Sequence, residues 1–297
     1  MNANPSPLTA PPHPSNHSEI LPDRSLYELI KGRHGLFLVN KNDRYIGKSL
    51  LAYGEFSELE WNLLEQIAPK GGVVAEIGSH LGSLTIPLAK QVGKTGKILA
   101  FEPQPILFQN LCANLSLNGL LNCNAFNAGC GKEKRTINIP DIKYDNVQNY
   151  GGIQLKMFDT FDVGQPVEII PFDNFGLTRL NLMKLDVEGM ELEVLQGAQK
   201  TIERCYPAIY AENHMEDSGK EVIRFLLDIG YNVWTHIIPL FNDKNYFQNP
   251  ENIFSNFSSF NIICLPKKLK VKIELPQIKT IEDWDAIHAN RLDKQKS

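Results

Sequence analysis

The chain has 297 residues, 42% of them hydrophobic and 22% charged, with a formal net charge of −4. That suits one large α/β domain with additions and gives no global field toward nucleic acid or an anionic membrane. No apolar run approaches the ~18 residues of a membrane span. Cys112, Cys123, Cys130, Cys205 and Cys264 form no Cys-x-x-Cys pair and read as free thiols of a reducing compartment. The N-terminus has neither a basic leader nor an apolar core, so the expected location is the cytoplasm.

Residues 1–20 are Asn, Pro, Ser and His with little to bury, which predicts a disordered leader in which His13 and His17 are solvated. Residues 21–70 form an N-terminal addition. In it, Leu36-Phe37-Leu38-Val39, a turn at Asn40 to Asp43, and Arg44 to Leu51 suggest a β-hairpin. Ser57-Glu58-Leu59-Glu60 has capping-box spacing, with Phe56 and Trp61 as a staple, and opens a helix through Ile67.

Val73 to Ile77 reads as a strand of a parallel sheet covered on both faces. It ends in Glu76 and runs into Gly78-Ser79-His80-Leu81-Gly82, where glycines permit positive φ and close approach of a ligand. A βα turn with glycines for packing alone is the competing reading. The dinucleotide spacing Gly-x-Gly-x-x-Gly is absent. Gly93-Lys94-Thr95 fails as a phosphate loop, because Leu88 stands where its first glycine belongs.

After a helix with Pro87 in or near its first turn, Lys97 to Phe101 forms a second strand ending in Glu102 and Pro103. A carboxylate there can accept from both hydroxyls of a ribose. The following helix carries Leu107, Leu111 and Leu115 and stops near Asn118-Gly119. A third strand over Asn124 to Ala128 makes Asn127 and Ala128 candidate purine contacts, against a plain strand exit. Residues 132–172 interrupt the βα rhythm with short strands at Thr136 to Ile139 and Val167 to Ile170, and their aromatics suggest an ordered, substrate-facing cover.

Strand four, Leu180 to Leu185, ends in Asp186-Val187-Glu188-Gly189 before a helix with Met190, Val194, Ala198 and Ile202 on one face. Strand five, Ala208 to Ala211, ends in Glu212-Asn213-His214, and a further helix closes at Gly230. Final strands fall near Asn232 to Thr235 and Phe260 to Leu265. A charged tail over 267–297 holds a short helix around Ile281, Trp284 and Ile287.

Glu76, Glu102, Asp186, Glu212 and His214 thus share one sheet edge. The runs Glu76-Ile-Gly-Ser-His-Leu-Gly82, Phe101-Glu-Pro103, Lys184-Leu-Asp-Val-Glu-Gly-Met-Glu191 with Val194-Leu-Gln-Gly-Ala198, and Glu212-Asn-His214 resemble the FkbM family of S-adenosylmethionine-dependent methyltransferases. The similarity covers about residues 50–265, and the Asp-Val-Glu-Gly-x-Glu block is its most specific part. Family members usually begin the first motif with aspartate; Glu76 keeps the carboxylate.

This resemblance implies a Rossmann-like class I methyltransferase fold over residues 71–266, a mostly parallel seven-stranded sheet with helices on both faces. Glu76, Gly78 and Gly82, with Ser79 and His80 between them, would hold the methionine portion of S-adenosylmethionine. Glu102, with Pro103, would hold the ribose, and Asn127 and Ala128 the adenine. Chemistry would occur where Asp186, Glu188, Glu212 and His214 converge, Asp186 also bordering the cofactor and His214 or Asp186 taking a proton. In the competing reading Asp186 and Glu188 only cap the next helix. A divalent metal on Asp186 and Glu212 lacks a clear third ligand, so no metal is assigned.

The expected reaction is O-methylation of a hydroxyl on a sugar or other secondary metabolite. N-methylation of a peptide side-chain or amide nitrogen is the alternative. A cofactor-binding protein without turnover and a nicotinamide dehydrogenase are weaker readings. A basic face or an Asn/Asp-Pro-Pro-aromatic motif, which nucleic-acid methylation would need, is missing. Oligomeric state is not legible.

Overall fold

Side chains on the central strands alternate between two faces, and each apolar face needs its own cover of helices. The computed structural model, which describes residues 25–213, 217–269 and 273–287, meets that need with one large sheet covered on both sides. In chain order the elements are β1 (Tyr27–Gly32), β2 (Gly35–Asn40), α1 (Ile46–Tyr53), α2 (Glu58–Ile67), β3 (Val73–Ile77), α3 (Thr85–Val92), β4 (Lys97–Phe101), α4 (Pro105–Leu117), β5 (Cys123–Phe126), β6 (Ala128–Cys130), β7 (Arg135–Ile139), β8 (Gln165–Ile170), β9 (Leu182–Leu185), α5 (Glu191–Gly197), α6 (Gln199–Cys205), β10 (Ala208–Glu212), α7 (Asp217–Asp228), β11 (Tyr231–Pro239), β12 (Ser258–Pro266) and β13 (Gln277–Ile278). The leader expected over residues 1–20 and the candidate base His214 lie outside the described residues.

The large sheet runs β13-β11-β12-β10-β9-β3-β4-β5. Strands β5, β4, β3, β9 and β10 are parallel, and β12 lies antiparallel to both β10 and β11. The chain leaves β3 in one direction toward β5 and returns to its other side at β9. A crevice therefore opens at the carboxyl ends of β3 and β9, the place where open α/β sheets bind ligands. This is the seven-strand order of a class I methyltransferase, with its one reversed strand, and β13 adds a short eighth strand at the edge.

Alternation sorts the two cores. Val74 faces Trp61, Leu64, Leu88 and Leu111 under α2, α3 and α4. Ala75 and Ile77 face Met183, Val194 and Ile223 on the opposite side. On β9 the same period puts Leu182 and Lys184 on the α2 side, and on β10 it puts Tyr210 there.

Three expectations are corrected. The N-terminal hairpin lies one element earlier, with its turn at Arg33-His34, and Arg44 to Leu51 belongs largely to α1 rather than to a strand. Asn40 Oδ1 accepts the Asn42 N–H at 2.8 Å and Asp43 Oδ1 accepts the Tyr45 N–H at 3.1 Å, so two Asx turns bend the chain into a helix where alternation alone suggested extension. The helix after β9 is two helices. Asp173 crosses from a neighbouring turn to accept from Lys200 N, Thr201 N and Thr201 Oγ1, which starts α6 afresh at Ala198. Residues 273–287, inside the stretch read as a charged tail, are packed. Gln277–Ile278 pairs with β11, and Trp284 is buried with its Nε1 donating to Asn213 Oδ1 at 3.0 Å.

Residues 132–172 supply β7 and β8, which form a small sheet with β6 in the order β6-β8-β7. Gln104, just past β4, ties this insertion down. Its Nε2 donates to Tyr150 O at 2.8 Å and its Oε1 accepts from Tyr144 OH at 2.9 Å. Asn40 Nδ2 donates to Tyr144 O as well, so the insertion is held against both the N-terminal addition and the sheet edge.

Candidate active site

Two adjoining hollows open at the carboxyl edge. The larger, about 220 Å³, is lined by Gly78, His80, Glu102, Asp186, Glu188 and Glu212 on the sheet side. Its other walls come from α1, α2 and the chain around Ser258. The smaller, about 40 Å³, is a mostly apolar slot between Pro103, Ala128, Ile153, Leu155 and Met190, with Glu102 and Gly78 at its mouth. Shape and polarity match a flat apolar ring in the slot and polar groups in the wider space.

The glycine loop is built for backbone contact. Gly78 has φ +86°, and a Cβ there would stand 1.8 Å from the Asp186 carbonyl oxygen. The end of β3 is thus pressed against the start of the Asp186 loop, and only glycine fits between them. Gly78 N and Ser79 N donate to Phe101 O, and Ser79 Oγ donates to Glu76 O, so Ser79 is spent inside the loop. His80 has φ +49°, donates its N–H to Glu102 Oε2 at 2.8 Å, and sets its imidazole in the cavity wall beside Asp43, Nε2 to Oδ2 3.4 Å. Burial lowers the pKa of that imidazole and so disfavours its charged form, with Asp43 opposing the shift.

Glu102 is buried, and each carboxylate oxygen already accepts one backbone N–H: Oε2 from His80 and Oε1 from Gln104 at 2.9 Å. Each retains a lone pair that can face the hollows. Glu76 is also buried, but its Oε2 accepts from Thr85 Oγ1 at 2.5 Å and it lines neither hollow. It braces the loop from beneath. Asn127 likewise turns away: its Nδ2 donates to Glu102 O and Pro103 O, fixing the exit of β4, while Ala128 and Pro103 line the slot.

Burial pushes the Glu76 and Glu102 carboxyls up to about 7, Lys184 opposing this at Glu76 and the two N–H donors at Glu102. Both folded values lie above the ordinary carboxylate value, so the folded state holds extra protons and stability falls as pH rises through about 7. His80 acts oppositely, below its unfolded value near 6.5. For the cofactor-free protein we therefore expect the urea midpoint to rise as pH is lowered from 8 to 6.5; a flat or falling midpoint would show that these carboxyls stay ionised.

At the next strand ends, Lys184 Nζ donates to Asp186 Oδ2 at 2.9 Å. The Lys184 side chain is 4% exposed, that of Asp186 41%. Glu188 has φ +50°, followed by Gly189 at φ +91°, a double left-handed turn that sets the Glu188 carboxylate in the cavity wall. Neither Asp186 nor Glu188 caps the next helix. Glu191 Oε1 accepts from Val187 N and Gly189 N and so ties the loop that carries Glu188 to the start of α5. One oxygen from each of Asp186, Glu188 and Glu212 lies within 4.8 Å of the others. Asn213 is structural, donating to Gly219 O and accepting from Trp284.

Sequence reasoning missed Glu60. Its spacing from Ser57 looks like a capping box, but Ser57 has φ +54° and its hydroxyl donates to Glu60 Oε2 at 2.7 Å rather than capping the helix. The side chain is buried in the cavity wall, and Oε1 has no hydrogen-bond partner among the described residues. No spacing rule separates the two uses of this Ser-x-x-Glu; only the placement of α2 over the strand ends does.

The family model described as Methyltransferase FkbM domain matches residues 75–233, more than half of the chain. The chain belongs to the FkbM methyltransferase family. Two curated relatives are each 26% identical to it: Methyltransferase 1 of Beauveria bassiana (strain ARSEF 2860), over 149 residues covering 43% of this chain and 59% of the relative, and Methyltransferase sdnD of Sordaria araneosa, over 169 residues covering 44% and 62%. This FkbM-family chain therefore spans about three-fifths of the length of those relatives. Among solved structures, the FkbM methyltransferase of Methylobacillus flagellatus KT overlaps 66% of this chain and 44% of its own, at 16% identity and TM-score 0.44. M. jannaschii TYW2, solved with AdoMet, overlaps 82% and 87% at 13% identity and TM-score 0.43. The fold assignment rests on strand order rather than on these loose overlaps.

The matched span, 75–233, holds Glu76 to Gly82, Glu102, Asp186, Glu188 and Glu212. Glu60 and Ser258 in the outer cavity wall lie outside it.

Proposed function

We propose that this FkbM-family protein transfers the methyl group of S-adenosylmethionine to a hydroxyl of a small acceptor such as a sugar or another secondary metabolite. The observation that carries the reading is Glu102, a buried carboxylate at the second strand end that stands between an apolar slot and an acid-lined cavity. The residues fit the donor: Glu102 accepts from ribose hydroxyls, the slot between Pro103, Ala128 and Met190 takes the adenine, and the Gly78 loop runs beside the methionine portion. When bound there, S-adenosylmethionine supplies an electrophilic methyl group on a sulfonium.

The chain's own contribution is alignment and proton removal. Walls from α2, the insertion and Ser258 fix the acceptor with its oxygen toward the methyl, and alignment of this kind is worth roughly 7–11 kcal/mol in favourable systems. Glu60 Oε1, buried and without a partner among the described residues, accepts the hydroxyl proton. The acceptor oxygen gains the methyl carbon as the sulfur–methyl bond breaks, leaving a methyl ether and S-adenosylhomocysteine. General-base assistance adds on the order of 10²–10⁴-fold.

Calorimetric titration with S-adenosylhomocysteine tests the reading, with NAD as control. Micromolar binding is expected for the native chain. Glu102→Ala should weaken it at least ~100-fold, since two backbone N–H groups lose their acceptor along with the ribose contacts, each worth about 1–3 kcal/mol. Binding of NAD without S-adenosylhomocysteine would overturn the proposal.

A further inference from the structure

The sequence offers Asp186 and Glu212 as acid ligands but no clear third. Folding provides it. The left-handed turn at Glu188 brings its carboxylate beside the other two, so that one oxygen from each lies within 4.8 Å of the rest. Oxygens on opposite sides of a hard divalent ion are separated by about twice the metal–oxygen distance, roughly 4.0–4.2 Å for magnesium and about 4.6–5.2 Å for calcium. The three carboxylates therefore span a distance that one such ion can bridge.

A group of acids alone does not make a site. The second observation is Glu60, which enters the same cavity from α2, close enough to Asp186 and Lys184 to feel their charge. Its carboxylate is buried, Ser57 holds Oε2, and Oε1 is an acceptor with no donor among the described residues. Lodging such an oxygen away from water is costly unless something in the cavity donates to it. Water or a hydroxyl polarised by a cation is a strong donor of that kind.

We propose that Asp186, Glu188 and Glu212 bind one divalent cation of the hard, oxygen-seeking class, magnesium, manganese or calcium. Zinc is disfavoured because the set lacks nitrogen and sulfur. Lys184 Nζ donates to Asp186 Oδ2 and holds that carboxylate at the cavity wall. Remaining positions are filled by water or by the acceptor. This inference rests on the O-methyltransferase reading for its role: an acceptor hydroxyl on the ion is more acidic and is fixed in direction, and its proton passes to Glu60 Oε1. The carboxylates would thus hold the ion while a residue from the N-terminal addition completes the chemistry.

The test uses the full chain stripped of metal with chelator, saturated with S-adenosylhomocysteine and titrated with Mn²⁺ by electron paramagnetic resonance. One Mn²⁺ per chain is expected, displaced by Mg²⁺ or Ca²⁺, with affinity reduced at least ~10-fold in Asp186→Asn and in Glu212→Gln. Circular dichroism checks folding. Should either variant fail to fold, Glu188→Gln carries the comparison. Absence of saturable Mn²⁺ binding in protein that still binds S-adenosylhomocysteine overturns the metal site and leaves the methyltransferase reading intact. Mn²⁺ binding of equal strength in the folded variants overturns it as well. Failure of S-adenosylhomocysteine to bind is the separate failure of the cofactor reading, and Mn²⁺ titration of the unliganded chain then decides the site alone.

Discussion

Gly78→Ala is expected to abolish measurable S-adenosylhomocysteine binding and to destabilise the protein by on the order of 3 kcal/mol or more. Two costs combine. A Cβ would lie 1.8 Å from the Asp186 carbonyl oxygen, a backbone atom that cannot rotate away, and the residue has φ +86°. Either the Asp186 loop moves or the glycine turn changes hand, and both displace the cavity floor. Gly189→Ala is the control. It also has a positive φ, +91°, but none of the described residues lies within 4 Å of its would-be Cβ, so only the left-handed conformation is penalised, by about 1–2 kcal/mol. Chemical denaturation of both variants separates contact from conformation. Equal losses would mean that the close approach at Gly78 is unimportant.

The second large effect is expected at Lys184. Glu76 and Tyr210 flank it on the neighbouring strands, Asp186 Oδ2 is 2.9 Å from its ammonium, and Glu60 is close enough to act on its charge. Burial opposes that charge, but Asp186, Glu60 and Glu76 together hold the ammonium above the ordinary lysine value. Lys184→Met keeps the volume and removes the counter-charge. Glu76 and Glu60 are left buried without their counter-charge while Asp186, 41% exposed, stays partly solvated, so the loss should fall at or below the low end of the about 3–5 kcal/mol that breaking a fully buried pair costs.

The loss should depend on pH, with a sign that can be checked. Lys184 lowers the Glu76 pKa, so without it Glu76 keeps its proton to higher pH. A carboxyl whose folded value is raised contributes stability that declines as pH rises through that value. The variant should therefore recover more stability than the native chain when pH is lowered from 8 to 6.5. Urea unfolding at the two values measures this, and an equal deficit at both would show that Glu76 is not coupled to Lys184.

Much of the candidate site's edge was legible because βα units follow strict local rules. Apolar runs ending in an acid or glycine marked the ends of β3, β4, β9 and β10, and parallel strands must place those ends on one edge. Glu102, Gly78, Asp186, Glu188, Glu212, Pro103 and Ala128 were all found there. Glu76, Ser79 and Asn127 were picked out by the same signals, yet their side chains are spent on Thr85, Glu76 O and the exit of β4. Strand period explains Glu76: it points to the α2 face beside Val74, whereas the loop just past it reaches the cleft.

The sequence by itself determined the parallel strands β3, β4, β9 and β10, the glycine turn and the acids that close those strands, because these follow from hydrophobic period and backbone sterics over a few residues. Tertiary structure alone decided which of those acids meet. Glu60 resembled a helix cap until α2 was laid over the strand ends. Glu188 became a third neighbour of Asp186 and Glu212 only through a left-handed turn, and Trp284 became core only because it reaches Asn213 from 71 residues further along the chain. Such contacts join residues far apart in sequence, and no local pattern encodes the distance between them.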